Sequence, residues 1–318
     1  MQHRILPIIL CGGGGTRLLP VLKYNSPKQF LNILRGRYNL LQNTLMRFAN
    51  DSNFEKPVII GKLAHKDSLI KSIEDIGKPI ETLILETEGK NTGPAIASVI
   101  SYLQESHWND NTIIIVTPID HYISDQNKFI QKLNEVVRLI NSGYFDDKIF
   151  TLFVNKTSSE KNYGHLKLGK KISCNILNNL FEIENFIEKP DSESSIDNTV
   201  WNSGIYCMKI KACKKIIQRN APYILHYSYK AVTESVERNV STLMKNEIIL
   251  NHEHFKKNSS LSFDQILTMP FHKHSLFGSD IGTKWEDIGI WSGIQRLCND
   301  PSQAQLINMD LFAEKRTS

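Results

Sequence analysis

Apolar positions in the first half of the chain alternate between two periods. Ile5 to Leu10 is a continuous apolar run and reads as a buried strand. Leu40 to Ala49 has helical spacing, with Leu41, Leu45 and Phe48 on one face. Strands follow at Pro57 to Gly61, Thr82 to Glu86, Thr112 to Val116 and Ile149 to Val154. Helices are predicted between them, at Ala64 to Ile76, Thr92 to Leu103 and Phe129 to Ile140. Thr92 is placed to cap the second of these, and Pro94 stands in its first turn. Strand alternating with helix predicts an α/β fold, with a mostly parallel central sheet flanked on both faces by helices.

The second half changes pattern. Tyr163 to Leu168 alternates like a strand, and Phe181 to Ile187 reads as another. Ala212 to Val240 is mostly helical, with Pro222 marking a break between two helices. The chain has 318 residues, enough for one large α/β domain or two small ones. Its 41% hydrophobic and 22% charged content is that of a globular protein. No apolar run approaches the roughly 18 residues of a membrane span, and the N-terminus lacks a signal-peptide pattern. The five cysteines show no C-x-x-C spacing, which predicts reduced thiols and a cytoplasmic setting. A net charge of +5 suits anionic small substrates. No basic cluster is dense enough to propose nucleic acid binding.

The chemistry gathers where the first strand ends. Cys11-Gly12-Gly13-Gly14-Gly15-Thr16-Arg17 lets the backbone approach a ligand with no Cβ in the way. Its N–H groups can line a concavity for phosphate oxygens, with Arg17 and Lys28 supplying positive charge. A Walker loop needs Gly-Lys-Ser/Thr, and Gly15 is followed by Thr16-Arg17, so that reading fails. A G-x-G-x-x-G fingerprint fails as well, because its last position falls on Arg17 or Leu18. In such sheets ligands bind beyond the carboxyl ends of the strands. Asp120, in Thr117-Pro118-Ile119-Asp120-His121, falls at that edge, either as a ligand-binding carboxylate or as a cap for the following helix. No chemistry is assigned to His121. The helix start at Asn91-Thr92 offers spare N–H groups at the same edge, for a base or a phosphate.

The motifs resemble those of sugar-nucleotide pyrophosphorylases, over roughly residues 5 to 295. G-G-x-G-T-R-L-x-P followed by Pro27-Lys28-Gln29-Phe30-Leu31 is similar to the signature of the mannose-1-phosphate guanylyltransferase branch. Gly89 to Ala97 resembles R-N-T-A-P-A-I-A, Phe186 to Pro190 matches F-x-E-K-P, and Trp201 to Gly204 matches W-N-S-G. Trp285-Glu286-Asp287-Ile288-Gly289-Ile290-Trp291 resembles W-x-D-x-G-x-W. The resemblance implies a Rossmann-like (GT-A-like) nucleotide-diphospho-sugar transferase fold. It implies transfer of a guanylyl group from GTP to mannose 1-phosphate, with Mg²⁺ held by Asp120 and Asp287. Arg17, Lys28, Asp120 and Asp287 would be catalytic. Cys11, Gly12, Gly13, Gly15, Thr16, Arg17, Lys28, Asn91 and Thr92 would bind the nucleotide. Tyr163, Gly164, Glu188, Lys189 and Asn202 would bind the sugar phosphate. One nucleotidyltransferase domain is expected over 1–295, with a nucleotide half to about 155 and a sugar half beyond it. Residues 296–318 are expected as a tail, with no β-helix or isomerase domain.

The sequence also departs from the family pattern. Cys11 and Gly14 replace alanine and serine, Leu19 replaces tryptophan, and Leu22 and Lys23 replace serine and arginine. Lys90 and Gly93 replace arginine and alanine, and Met269 stands where a glutamate is usual after Ser262-Phe263-Asp264. Asp280, near Asp287, competes as the metal ligand. His252, His254, His272 and His274 come in pairs spaced by two, but without a cysteine or carboxylate frame they are not expected to hold metal. Competing functions are a pyrophosphorylase for another sugar or nucleotide, a non-catalytic sugar-nucleotide sensor, and a sugar-transferring enzyme. The last usually carries a D-x-D motif, which follows no core strand here. Neither membrane nor nucleic acid is expected as a partner, and the sequence leaves a homodimer open.

Overall fold

The structure, a computed structural model, describes residues 4–13, 18, 27–158, 160–188, 198–238, 242–269, 275–309 and 311. The first half runs β1 (Ile5–Cys11), α1 (Leu40–Ala49), β2 (Val58–Lys62), α2 (Lys66–Ile76), β3 (Ile80–Glu86) and α3 (Thr92–Glu105). It continues with β4 (Ile113–Pro118), β5 (His121–Ile123), α4 (Gln126–Asn141) and β6 (Ile149–Val154). The second half adds β7 (His165–Ile172), β8 (Leu180–Ile187), β9 (Thr199–Lys209), α5 (Ile210–Asn220), α6 (Pro222–Thr233), β10 (Val236–Arg238) and β11 (Met244–Ile249). It closes with α7 (His252–Phe255), α8 (Phe263–Thr268), β12 (Leu276–Asp280), β13 (Trp285–Asp287) and α9 (Trp291–Asn299).

Eleven strands form one sheet in the order β10-β11-β3-β2-β1-β4-β9-β6-β12-β8-β7. Parallel pairing runs from β11 through β3, β2 and β1 to β4. Beyond β4 only β6 and β12 are parallel, and β9 is antiparallel to β4 and to β6. The sheet is therefore mixed, and parallel pairing dominates only its nucleotide half. Among the described residues β7, β8 and β9 follow one another with no helix between them, and they pair antiparallel. Residues 236–238, expected in a helix, form the antiparallel edge strand β10 instead.

Period-two alternation divides β1 between two cores. Leu6 and Ile8 pack with α3, α5 and α6, while Ile9 and Cys11 pack with α1 and α2. Caps fix the helix starts: Asn39 and Gln42 form a capping box on α1, and Asp125 accepts from the Lys128 N–H on α4. Pro222 is the first residue of α6, where its missing N–H costs nothing. The two expected halves share one sheet, because β11 lies beside β3 and β9 beside β4. The expected boundary at 295 falls inside α9, and Ile307 is buried in a bridge to Leu34, so the chain beyond 295 packs on the main body.

Candidate active site

Parallel register brings the ends of β1, β2, β3 and β4 to one edge. Leu10 is paired with Pro118 and with Ile60, and Lys62 with Glu86. A cavity of about 370 Å³ opens there, lined by Gly12, Gly13, Lys28, Glu86, Asn91 and Asp120, among others. Side chains at Gly12 and Gly13 would crowd the site. A Cβ on Gly12 would lie 3.1 Å from Glu86 Oε2, and one on Gly13 would lie 3.2 Å from Lys28 Cε. Cys11 is fully buried behind them, and burial pushes its thiol far up, so it remains neutral. Gly15, Thr16 and Arg17 lie outside the described residues.

Asp120 and Asp287 come from distant parts of the chain. They are brought together by a two-stranded sheet in which β5 pairs with β13 and Asp287 stands opposite His121. The Ile288 N–H donates to the Asp120 carbonyl at 2.9 Å, and the Gly289 N–H donates to Asp287 Oδ1 at 2.7 Å. Lys28, on a 3-10 turn Lys28–Phe30, donates from Nζ to Asp120 Oδ2. A Cβ on Gly289 would lie 2.9 Å from Asp287 Oδ1, and closer still to Lys28 Nζ and Asp120 Oδ2. Two carboxylates and one ammonium thus converge on a single point. Asp280, the competing carboxylate, instead accepts from the Gly282 N–H at 2.7 Å and from Asn155 Nδ2 at 3.3 Å, and so caps its own turn.

The electrostatics follow from these neighbours. Burial pushes the Asp120 carboxyl up, but the Lys28 charge and hydrogen bond outweigh it and hold it below the ordinary carboxylate range. His121 is pushed down to about 3, chiefly by burial, and its ring lies edge-on to Trp285 at 4.9 Å. It is a neutral packing residue. Glu86 was not singled out from sequence, yet it ends β3 in the cavity wall and is 4% exposed. Burial pushes its carboxyl up to about 8 against the pull of Lys62, and Oε1 has no hydrogen-bond partner among the described residues. The available signal was an acid closing the apolar run Leu83–Leu85 at the ligand edge.

At the same edge, Asn91 caps α3 by accepting from the Thr92 N–H at 2.9 Å, and Thr92 Oγ1 accepts from the Phe263 N–H at 2.8 Å. Gly93 has a packing reason to differ from alanine, because a Cβ would lie 2.6 Å from the Leu261 carbonyl oxygen. On the other side, Gly164, Glu188 and Asn202 are neighbours. A Cβ on Gly164 would lie 3.2 Å from Glu188 Oε2, and the Asn202 N–H donates to the Gly164 carbonyl at 2.8 Å. The sheet register shifts along β9, where Gly204 has φ +72°, and this bulge turns Asn202 inward. Its amide donates to Tyr206 Oη at 2.8 Å and Asp264 Oδ1 at 2.9 Å, and accepts from Thr151 at 2.6 Å.

Tyr163 is buried rather than open to a sugar. Its hydroxyl accepts from Arg296 Nη2 at 2.5 Å, and its ring packs on Trp201 and Trp285. Arg296 also donates to Glu286 Oε2 at 2.8 Å, so α9 braces the strand that carries Asp287. Lys189 lies outside the described residues, as do His272 and His274. His254 pairs with Glu234 at 2.9 Å, and His252 lies 3.2 Å from Thr87 Oγ1. Among the described residues no three His, Cys, Asp or Glu side chains cluster as a metal site, and no helix is long and apolar enough to cross a membrane. All five cysteines are free.

The nucleotidyl transferase family pattern matches residues 6–302. The mannose-1-phosphate guanylyltransferase RfbM of Salmonella typhimurium is 29% identical over 313 residues, covering 97% of this chain and 62% of that protein. A mannose-1-phosphate guanylyltransferase of Escherichia coli is 29% identical over 320 residues, covering 99% of this chain and 66% of that protein. The chain therefore spans just under two thirds of the length of these relatives. In fold it is similar to a Thermus thermophilus protein described as mannose-1-phosphate geranyltransferase, with a TM-score of 0.73, 20% identity, and 93% and 80% of the two chains covered. It is also similar in fold to a Helicobacter pylori protein described as mannose-6-phosphate isomerase, with a TM-score of 0.71, 21% identity, and 89% and 100% covered.

Proposed function

Because the chain belongs to the nucleotidyl transferase family, we propose that it joins GTP to α-D-mannose 1-phosphate, forming GDP-mannose and releasing diphosphate. The observation that carries this reading is the convergence of Lys28, Asp120 and Asp287 on one point beside the glycine turn. An oxygen of the sugar phosphate attacks the α-phosphorus of the triphosphate, and the bond to the diphosphate oxygen breaks. The monoester is already ionised at neutral pH, so no general base is needed. What the protein must supply is positioning and neutralisation of two polyanions. Lys28 is assigned to the α-phosphate. Arg17 is assigned to the departing phosphates and Lys189 to the sugar phosphate.

The site suits a divalent cation. Two carboxylate oxygens aim at one point, and the Lys28 ammonium lies beside it. Mg²⁺ takes hard oxygen donors, commonly one or two carboxylates together with phosphate oxygens. Asp120 and Asp287 would hold it, and bound there it would neutralise charge shared by the attacking and α-phosphates.

Glu86 supports guanine as the base. Once ionised, the carboxylate presents two acceptors side by side, and a base that brings two adjacent N–H donors offsets the burial that raises its pKa. Guanine offers an N1–H and a 2-amino group in the same arrangement, whereas adenine has an acceptor at N1 and uracil a single N–H. Purified protein with Mg²⁺, mannose 1-phosphate and each nucleoside triphosphate in turn tests the reading. GTP should give the fastest diphosphate release. Release with none, for any sugar phosphate, would identify a non-catalytic sensor. Against a sensor, the three converging charges are all retained. The free thiols support a reducing, cytoplasmic setting.

A further inference from the structure

Lys62 ends β2 as Glu86 ends β3, and the parallel register sets the two residues side by side. Residues in register on neighbouring strands point to the same face of a sheet. That face is the cavity's, because Ile60, two residues before Lys62, lines the cavity and Glu86 does too. Opposite charges so placed ordinarily pair. These two do not. Among the described residues Lys62 makes neither a hydrogen bond nor an ion pair, whereas Lys28 is paired with Asp120 and Lys90 with Glu88. The Lys62 side chain instead reaches past the strand end. A Cβ on Gly89, in the cavity lining, would lie 3.2 Å from Lys62 Cε and 3.3 Å from Nζ. Lys62 is only half-buried, so a ligand in the cavity can reach it.

Glu86 Oε2 lies on the Gly12 side of the cavity, 3.1 Å from where a Cβ on Gly12 would stand. The edge therefore offers a carboxylate and an ammonium next to each other and not joined. A group that engages both must turn N–H donors to one and an acceptor to the other. The outer edge of guanine has that order: the 2-amino group, N1–H, then the 6-oxo oxygen. Adenine carries an amino group at the 6 position, which would meet the ammonium donor to donor. A hydrogen bond from an ammonium to a carbonyl oxygen is charge-assisted and so stronger than a neutral one. The Lys62 charge also draws the Glu86 carboxyl down against the effect of burial, which helps it ionise for the base.

We propose that Lys62 is a specificity-determining residue for the nucleotide, donating to the 6-oxo group of guanine while Glu86 holds the N1–H and the 2-amino group. The assignment rests on the guanine reading above, and the test separates the two. Binding of GTP, 6-thio-GTP and UTP is measured by calorimetry with Mg²⁺ and without sugar phosphate, on the unsubstituted chain and on Lys62→Met. 6-Thio-GTP keeps both N–H donors and exchanges only the 6-oxygen for sulfur, a weaker acceptor. The unsubstituted chain should favour GTP over 6-thio-GTP by about tenfold or more, the scale of one hydrogen bond to a charged group, and Lys62→Met should bring the two within about twofold. A role exerted only through the Glu86 charge would weaken both nucleotides alike and keep their ratio, which would overturn the assignment. An unsubstituted chain that binds the two equally would overturn it as well. Either result leaves the guanine reading standing. If the unsubstituted chain binds GTP no better than UTP, the guanine reading itself fails, and the assignment of Lys62 with it. Lys62→Ala carries the same comparison if Lys62→Met loses its thermal transition.

Discussion

Lys28 and Asp120 lie 92 residues apart in sequence and form an ion pair at the point where Asp287 also converges. The ammonium holds the buried carboxylate ionised. Lys28→Met removes the cation and leaves a buried carboxylate unpaired. Diphosphate release should fall by ~10²–10³, the range for losing one electrostatic stabiliser of developing charge. The pH dependence of stability should move as well. Asp120 has a depressed folded pKa, so the pair's contribution is present above the unfolded value of 3.8 and lost as pH falls toward the lower folded one. In Lys28→Met burial leaves the Asp120 carboxyl above its unfolded value, so the part of the acid limb that this pair supplies should disappear from a thermal-midpoint profile. An unchanged acid limb would show that the pair does not set the carboxyl.

Asp287→Ala should nearly abolish turnover while leaving circular dichroism and thermal midpoint close to those of the unsubstituted chain. The Gly289 N–H loses its acceptor, but the β5–β13 pairing holds the strand in place. Asp280→Ala should retain most of its activity, because among the described residues that carboxylate bonds its own turn and Asn155. The comparison is made by diphosphate release at saturating substrates and varied Mg²⁺. An active Asp287→Ala alongside an inactive Asp280→Ala would reverse the metal assignment.

Glu86→Gln keeps the shape and removes the paired acceptors. kcat/KM for GTP should fall roughly 10- to 200-fold, the scale of one to three kcal/mol in lost hydrogen bonding, with less effect on other triphosphates. The free protein should respond in the opposite sense. The Glu86 carboxyl is raised from 4.5 to about 8, so the folded chain binds more protons than the unfolded chain between those values. Stability from this group is therefore full below pH 4.5 and declines as pH rises toward 8, by at most roughly 1.4 kcal/mol per pH unit. Glu86→Gln should flatten that slope in denaturant titrations. Parallel slopes for the two proteins would refute the buried-acid assignment.

The contrast between Asp120 and Glu86 shows what the sequence made legible. Asp120 could be placed at the ligand edge because an apolar strand and a turn motif preceded it. Glu86 ends a strand equally well, but a single acid at a strand end looks like an ordinary surface residue until neighbouring strands are seen to bury it. β1, α1 and β6 followed from periodicity because each buries a face against a neighbour. β10 did not, since Val236, Glu237 and Arg238 are all exposed and only their pairing with β11 makes them a strand. The meeting of Asp120 with Asp287 was available only through motif resemblance. No local rule predicts that two three-residue strands, β5 and β13, will pair across such a span. The role of Tyr163 was hidden for the same reason, because Arg296 on α9 claims its hydroxyl.

Gly289 offers a test of the convergence that touches no charged residue. Its φ is not among the positive ones, so the backbone accepts alanine without left-handed strain. The consequence of Gly289→Ala is then confined to where the new methyl goes. It would enter the space between Lys28 Nζ, Asp120 Oδ2 and Asp287 Oδ1, where no single shift clears all three. One or both carboxylates must turn away from the shared point. The Mg²⁺ concentration for half-maximal rate should rise about tenfold or more, and turnover should fall by about 10², since a displacement near 1 Å costs that much in a positioned site. Thermal stability should change far less, because the collision is at the cavity rim and the core strands are untouched. An alanine variant with unaltered Mg²⁺ dependence would mean that these three groups do not act on one cation.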